Sequence, residues 1–324
     1  MFKFLQGVTF KGRIIHFNKT GADIPVDKNL LIYAWKISSL HTLIKIVKLW
    51  QKVRGNSPGK TITFLPQRAG PWYNARIAAE LAGYRVIDNA EKADYQFAFS
   101  DETFSNYRNS SENALRDDAI NLHATDISKS NVGKIFHEVF GYGVSVDPTT
   151  FSGPCVAKSE SNATHDGKIL SCPIPTNDVK EGYAYQKLIP TGQNPEKTED
   201  LRVLYVMNKL VVIFHKFKNK EERFGVNYLD VIPKHPTEVF STTEINKITD
   251  YCQSIGLDFG ALDILRSTDD GLIYIVDVNK TGMPVLCLSL KTQYKAFRKI
   301  AQQFRTGLEA MPSNKAKGDS CTYQ

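Results

Sequence analysis

Cysteine is scarce in this chain. There are five in 324 residues (Cys155, Cys172, Cys252, Cys287 and Cys321), scattered, odd in number and never in C-x-x-C spacing. That pattern argues against a disulfide framework or a structural zinc site and for a reducing, cytoplasmic setting. No uninterrupted apolar run reaches membrane-spanning length. The opening MFKFLQGVTFKGR lacks an apolar core with a cleavage site, so no signal peptide is expected. Neither sign of charge dominates: 41 Lys and Arg stand against 34 Asp and Glu, a net charge of +7. Mild basicity suits an anionic ligand and does not demand nucleic acid.

What is present fits a globular protein with room for two or three subdomains. The strongest helical signal in the first third covers residues 28–54. Leu30, Tyr33, Ile37, Leu40, Ile44 and Val47 recur at three- and four-residue spacing beside a basic line of Lys45, Lys48 and Lys52. Such a helix lies on an anionic membrane or packs on its own domain with its lysines solvated; the second is the commoner outcome. Next, GNSPGKT at residues 55–61 is one residue short of a phosphate-binding G-x-x-x-x-G-K-[ST] loop. It also follows a helix and precedes a strand, the reverse of that motif's context, so it reads as a helix-ending turn. Residues 61–65, 71–83, 85–88 and 95–100 then read as strand, helix, strand, strand, a small parallel α/β layer. Arg68, Trp72, Tyr73 and Arg76 crowd its first strand-end loop.

From residue 131 the pattern changes. A short helix, NVGKIFHEVF, precedes three strand-like pieces at 155–159, 168–171 and 183–189, the first two joined by a loop of small and polar residues. Residues 201–218 read as a hairpin turning at Asn208-Lys209, and 242–256 and 290–308 as helices.

Residues 259–284, FGALDILRSTDDGLIYIVDVNKTGMP, carry the most chemistry. They read as two strands and a turn. Side chains alternate along 272–279, so Asp277 and Asn279 share a face, about 7 Å apart along the backbone at ~3.3 Å per residue. A three-residue loop, Asp269-Asp270-Gly271 with Gly271 left-handed, pairs Thr268 with Leu272 and puts Asp263 opposite Asp277. A two-residue loop puts Asp263 opposite Val276, on the wrong face. The three-residue loop is the expectation. Two carboxylates and an amide oxygen on one face form a hard-oxygen site suited to Mg²⁺ and the phosphates it carries. The plainer alternative is an amphipathic hairpin with solvated acids.

An Asp followed fourteen residues later by Asp/Glu-x-Asn on the next strand resembles the metal-binding hairpin of the ATP-grasp enzymes. Asp263, Asp277 and Asn279 match its ligand positions, and Pro284 resembles the proline often found beyond; the family more often has Glu where this chain has Asp277. The resemblance runs over roughly residues 127–308. It implies an α/β (α+β) ATP-grasp fold with a small N-terminal α/β domain (1–126), an antiparallel-sheet lid (127–198) and a C-terminal metal-binding domain (199–311); the polar residues 312–324 read as a disordered tail. It implies ATP and Mg²⁺ as cofactors, with Lys134 and Lys158 on the nucleotide and backbone N–H groups around Ser161, Asn162 and Thr164 over the phosphates. The backbone of Gln186, Lys187 and Leu188 is the implied adenine hinge, and Glu196 or Glu199 the ribose acid. Arg202, within Asp200-Leu201-Arg202, and Lys216 or Lys218 are the implied cations facing the transferred phosphoryl group; Asn227 adds a polar contact.

The activity so implied is a ligase: ATP phosphorylates a carboxylate, and an amine displaces phosphate from the acyl phosphate. The alternative is a small-molecule kinase of inositol or sugar type, in which a hydroxyl keeps the phosphoryl group, and a third class is a nucleotide-binding protein without turnover. The expected partners are a small-molecule or glycan-type carboxylate acceptor and an amine donor. No nucleic acid and no transmembrane segment are expected, and a homo-oligomer is left open.

Overall fold

The computed structural model describes residues 8–12, 14–17, 23–55, 58–107, 115–162, 164, 166–225, 228–285 and 287–311. The expected disordered tail and Asn227 lie outside the described residues. Three short strands, β1 (Val8–Lys11), β2 (Ile14–Phe17) and β3 (Asp23–Pro25), pair antiparallel at the start. Helix α1 (Lys28–Val53) follows, its first turn capped by Asp27, which accepts from the Leu30 N–H at 2.9 Å. Its periodic stripe is buried through Ile37, Leu40 and Ile44. Beyond the helix Gly55 and Gly59 both have positive φ, and Lys60 donates to the Tyr95 hydroxyl at 2.9 Å. The described residues of the near-Walker stretch are therefore a turn.

β4 (Thr61–Pro66), β5 (Arg85–Val86) and β6 (Tyr95–Phe99) form the expected parallel sheet in the order β5-β4-β6, with α2 (Asn74–Leu81) between β4 and β5. Its loop residues are committed locally: Arg68 pairs with Asp88 at 3.2 Å, and Arg76 holds Glu80 at 3.1 Å and the Ala69 carbonyl at 2.8 Å. Helix α3 (Lys129–Phe140) leads into a three-stranded antiparallel sheet, β8-β7-β9, built from β7 (Gly153–Ser159), β8 (Lys168–Cys172) and β9 (Tyr183–Lys187). These match the three strand-like pieces.

The largest sheet is antiparallel throughout, in the order β12-β11-β10-β13-β14. It comprises β10 (Lys197–Val206), β11 (Lys209–Asn219), β12 (Asp230–Lys234), β13 (Phe259–Arg266) and β14 (Ile273–Asn279). The β10–β11 turn is Met207-Asn208, one residue earlier than expected, because both of these residues take positive φ (45° and 65°). Helices α4 (Thr242–Ser254) and α5 (Leu290–Ala310) complete the architecture.

Alternation decides what each sheet face meets. On β10, Leu201, Val203 and Tyr205 join a core with Val132 and Phe136 of α3 and Ile248 and Tyr251 of α4. Leu204 and Val206 face the other way, into a core shared with Phe97 of β6 and Phe304 of α5. Phe259 links these layers, with ring centroids 5.9 Å from Phe97 and 5.4 Å from Phe304. Each such ring removed from water contributes roughly 1.5–3 kcal/mol. Arg202 has the same facing as Leu204 but stands further toward the β10 start. The polar residues of that sheet face gather around it.

Candidate active site

Asp263 is paired directly opposite Asp277, and Ala261 opposite Asn279. Asp263, Asp277 and Asn279 therefore share one face, as the sequence pattern requires. The route to that register differs from the expected three-residue loop. The Ser267 N–H donates to the Leu272 carbonyl at 2.9 Å and the Gly271 N–H to the Ser267 carbonyl at 3.1 Å, enclosing the four residues Thr268 to Gly271. Gly271 does take positive φ, 70°. An even loop alone sets Asp263 against Val276. Instead Ile264 pairs with Ile275 and Asp263 with Asp277, so Val276 is an extra residue, a β-bulge. Ile275 and Val276 are both buried in the core beneath α3 and α4, which accounts for the bulge: two neighbouring apolar side chains go to the same side.

Cations converge on this face from three directions. Arg202 on β10 lies opposite Asp263 and grips it at two points, Nε to Oδ1 and Nη2 to Oδ2, each 3.0 Å. Lys216 of β11 reaches Asp263 Oδ1 at 3.3 Å and Asp200 at 3.8 Å. Lys218 holds Asp200 at 3.2 Å and the Arg223 carbonyl at 3.1 Å. Both lysines are buried and share the face. From above come Lys158, at the end of β7 and 3.2 Å from Gln186 Oε1, and Lys129, in the first turn of α3. Lys129 Nζ lies 3.9 Å from Asp277 Oδ1 and donates to the Ser161 carbonyl at 2.8 Å.

These charges split the two facing carboxylates. Burial opposes ionisation of Asp263, but Arg202 and Lys216 outweigh it and hold its carboxyl well below the usual carboxylate range. Burial pushes Asp277 up, and the charge of Asp263 adds to that against the opposing pull of Lys129. Burial lowers Lys158, opposed by Asp277. Five cations against three carboxylates (Asp200, Asp263 and Asp277) leave the face with surplus positive charge, suited to a polyanion.

The donor set fits a divalent cation in part. Asp277 Oδ1 is buried and accepts no hydrogen bond, with the Lys129 ammonium 3.9 Å away. Asn279 Oδ1 accepts only the Thr281 N–H, at 2.9 Å, among the bonds described. Asp263 is already held by Arg202 and Lys216, so it is a shared ligand at most. Among the described residues no cluster of three or more His, Cys, Asp or Glu is arranged to hold a metal. Gln186 Nε2 is a second buried orphan, beside Lys158.

Several expected positions fall elsewhere. Lys134 is exposed, five residues and about 140° around the helix from Lys129. Lys129, not Lys134, faces the hairpin. The Ser161 N–H donates to Ser159 Oγ at 3.2 Å and the Asn162 N–H to Thr103 Oγ1 at 2.8 Å, so these amides are engaged within the protein. The Thr164 hydroxyl meets Asp166 at 3.0 Å. In the hinge, the Lys187 and Leu188 N–H groups donate to the Val144 and Pro154 carbonyls at 2.8 and 3.1 Å, so neither donor is free for a base. The Lys187 ammonium meets the Tyr274 hydroxyl at 3.0 Å, while the Gln186 side chain turns toward Lys158. Glu199 pairs with His215 at 2.8 Å on the opposite sheet face, and Glu196 is exposed.

Sequence reasoning missed three groups. Asp200 was legible, since it sits two residues before Arg202 on the same strand face. Lys129 follows the N-cap Ser128 and was passed over for the lysine nearer the turn. Lys280 is 2% exposed, donating to Ser105 Oγ at 2.6 Å and the Ala124 carbonyl at 3.1 Å. Nothing but its place after Asn279 marks it.

No protein-family model matches the chain, and no curated protein matches it. Among solved structures it is similar to the ATP-grasp ligase PsnB complexed with a minimal precursor (14% identity over 57% of this chain and 59% of that one, TM-score 0.38). It is similar also to a Chryseobacterium gregarium RiPP-associated ATP-grasp ligase in complex with ADP and a leader and core peptide (16% identity, 74% and 69%, TM-score 0.39). A third is D-alanine–D-alanine ligase from Bacillus anthracis complexed with ATP (14% identity, 56% and 64%, TM-score 0.36). The chain thus matches less than two thirds of the PsnB chain and of the D-alanine–D-alanine ligase chain. What the site does rests on its own geometry.

Proposed function

We propose that the chain is an ATP- and Mg²⁺-dependent ligase of the ATP-grasp kind, activating a carboxylate as an acyl phosphate for attack by an amine. The observation that carries this reading is the meeting of Lys129, Lys158, Arg202, Lys216 and Lys218 over a hairpin whose buried Asp277 Oδ1 accepts no hydrogen bond. Lys129 and Lys158 bind phosphate oxygens from the lid side. Asp277 and Asn279 would hold the metal, and Asp263, gripped by Arg202, would be at most a shared ligand. Bound Mg-ATP supplies the transferable phosphoryl group. Arg202, Lys216 and Lys218, already held by Asp263 and Asp200, would stabilise negative charge building during transfer without reorganisation. The loop after β7, tied to Lys129 through Ser161 and to Thr103 through Asn162, keeps water from the activated carboxylate. Beside Arg202 a small cavity is lined by Asn74 and Gln293, whose buried side-chain oxygens lack hydrogen-bond partners.

The test is the fate of the phosphoryl group. The chain is incubated with ATP, Mg²⁺, hydroxylamine and a panel of amino acids, uronic acids, inositol phosphates and short peptides. A ligase forms a hydroxamate and an equal amount of free phosphate with its proper carboxylate. Phosphate retained on the product, with no hydroxamate, sinks the ligase reading and leaves a kinase.

A further inference from the structure

Helix α1 has two apolar faces, and among the described residues only one is buried. Ile37, Leu40 and Ile44 are buried, and the same side is bonded to the domain: Gln51 Nε2 donates to the Leu81 carbonyl at 2.9 Å and Lys48 Nζ to the Tyr84 carbonyl at 3.4 Å. The other face exposes Leu31 (64%), Trp35 (62%), Leu49 (63%), Trp50 (58%) and Val53 (79%), with Ile32 and Ile46 beside them. These are seven of the fifteen exposed large hydrophobic side chains among the described residues. At about 100° per residue all seven fall within an arc of about 100°. A polar turn interrupts the arc midway. There the Thr42 hydroxyl donates to the Ser38 carbonyl at 2.9 Å, so it loses little on leaving water.

Charge says what covers this face. The helix holds five lysines and no acid. Lys45 and Lys52 run along one border of the arc, and Lys36 and Arg54 along the other, Arg54 lying over the Trp50 ring at 4.7 Å. A second copy of the chain would set lysine against lysine. An anionic surface is complementary to both borders, and tryptophan among aliphatic residues favours the boundary between headgroups and acyl chains. We propose that α1 is a docking helix that lies in the plane of an anionic lipid bilayer, burying the Trp35–Trp50 face while its other face stays on the domain. No uninterrupted apolar run marks a spanning segment in the sequence, yet residues Leu30–Val53 are long and apolar enough to cross a membrane by length and composition. Crossing would strip Leu40 and Ile44, both 0% exposed, from the core. Lying flat keeps them.

The experiment is co-sedimentation of the full chain with vesicles of phosphatidylcholine alone or with one quarter phosphatidylserine. Tryptophan emission is followed in parallel, since two of the chain's three tryptophans are on this face. Binding to the phosphatidylserine vesicles, at least tenfold stronger than to phosphatidylcholine and weakened by salt, is expected, with emission moving to shorter wavelength. Leu31→Ser combined with Leu49→Ser, both highly exposed, should cut binding at least tenfold with an unchanged melting midpoint, and Lys45→Glu with Lys52→Glu should do the same. No binding to either vesicle, or binding indifferent to both pairs of changes, overturns the proposal. A lipid-free dimer that the Leu31/Leu49 pair converts to monomer overturns it in favour of a second copy.

Discussion

Arg202 grips Asp263 with both edges of its guanidinium, Nε and Nη2 each 3.0 Å from a separate carboxylate oxygen. Both side chains are about four-fifths shielded from water. One of the two facing carboxylates is thereby neutralised, and the other, Asp277, keeps a buried Oδ1 that accepts no hydrogen bond and faces the Lys129 ammonium at 3.9 Å. The asymmetry follows from strand order, because β10 lies beside β13 and away from β14.

Removing Arg202 leaves Asp263 with Lys216 alone. Arg202→Met is expected to cost about 3–5 kcal/mol near neutral pH, the usual penalty for stranding one partner of a buried pair. Arg202→Lys should cost less but lose the two-point contact. The sign of the pH dependence follows from Asp263, whose folded value lies below its unfolded value near 3.8. The pair's contribution is present above that value and fades as pH falls through the folded one. Denaturant titrations of wild type and Arg202→Met should therefore converge in strong acid. A gap that is constant with pH would contradict the pairing.

Lys129 and Lys134 make opposite predictions from the same helix. Lys129→Ala should weaken nucleotide binding at least tenfold, because it removes a point charge aimed at the hairpin. Lys134→Ala, at an exposed position, should leave it unchanged, as should Lys60→Ala, whose ammonium is occupied by Tyr95. Calorimetric titration separates them. Loss on Lys134→Ala with no loss on Lys129→Ala would reverse the assignment.

Much of this was legible in the chain. The period of 28–53 buries the side it marks, and the spacing of Asp263, Asp277 and Asn279 puts them on one face. Two things were hidden for physical reasons. Strand register depends on the bulge at Val276, and a run such as Ile275-Val276 reads as simple alternation until its core partners are known. Which lysine faces inward depends on helix rotation, and residues 129–134 carry too few apolar positions to fix it.

Lys280 gives a prediction in alkali. Burial lowers its ammonium to about 8, from an unfolded value of 10.5, despite the acids Glu102 and Asp101. Between those two values the unfolded chain holds a proton that the folded chain has lost. Stability should therefore rise with pH across this window, by about 3 kcal/mol at most. Lys280→Met should flatten the rise. An unchanged slope would show that the proton sits elsewhere.

The most direct test of the central claim is a titration of ATP, with and without Mg²⁺, into wild type and Asp277→Asn. The substitution preserves shape and removes the carboxylate charge, which burial already penalises and whose Oδ1 accepts no hydrogen bond. Its melting midpoint at neutral pH should therefore equal or exceed that of wild type. Wild type should bind ATP more tightly when Mg²⁺ is present, and Asp277→Asn should lose that gain at least tenfold. Equal, Mg²⁺-enhanced binding by both proteins, or none by folded wild type, would contradict a nucleotide–metal site on this hairpin.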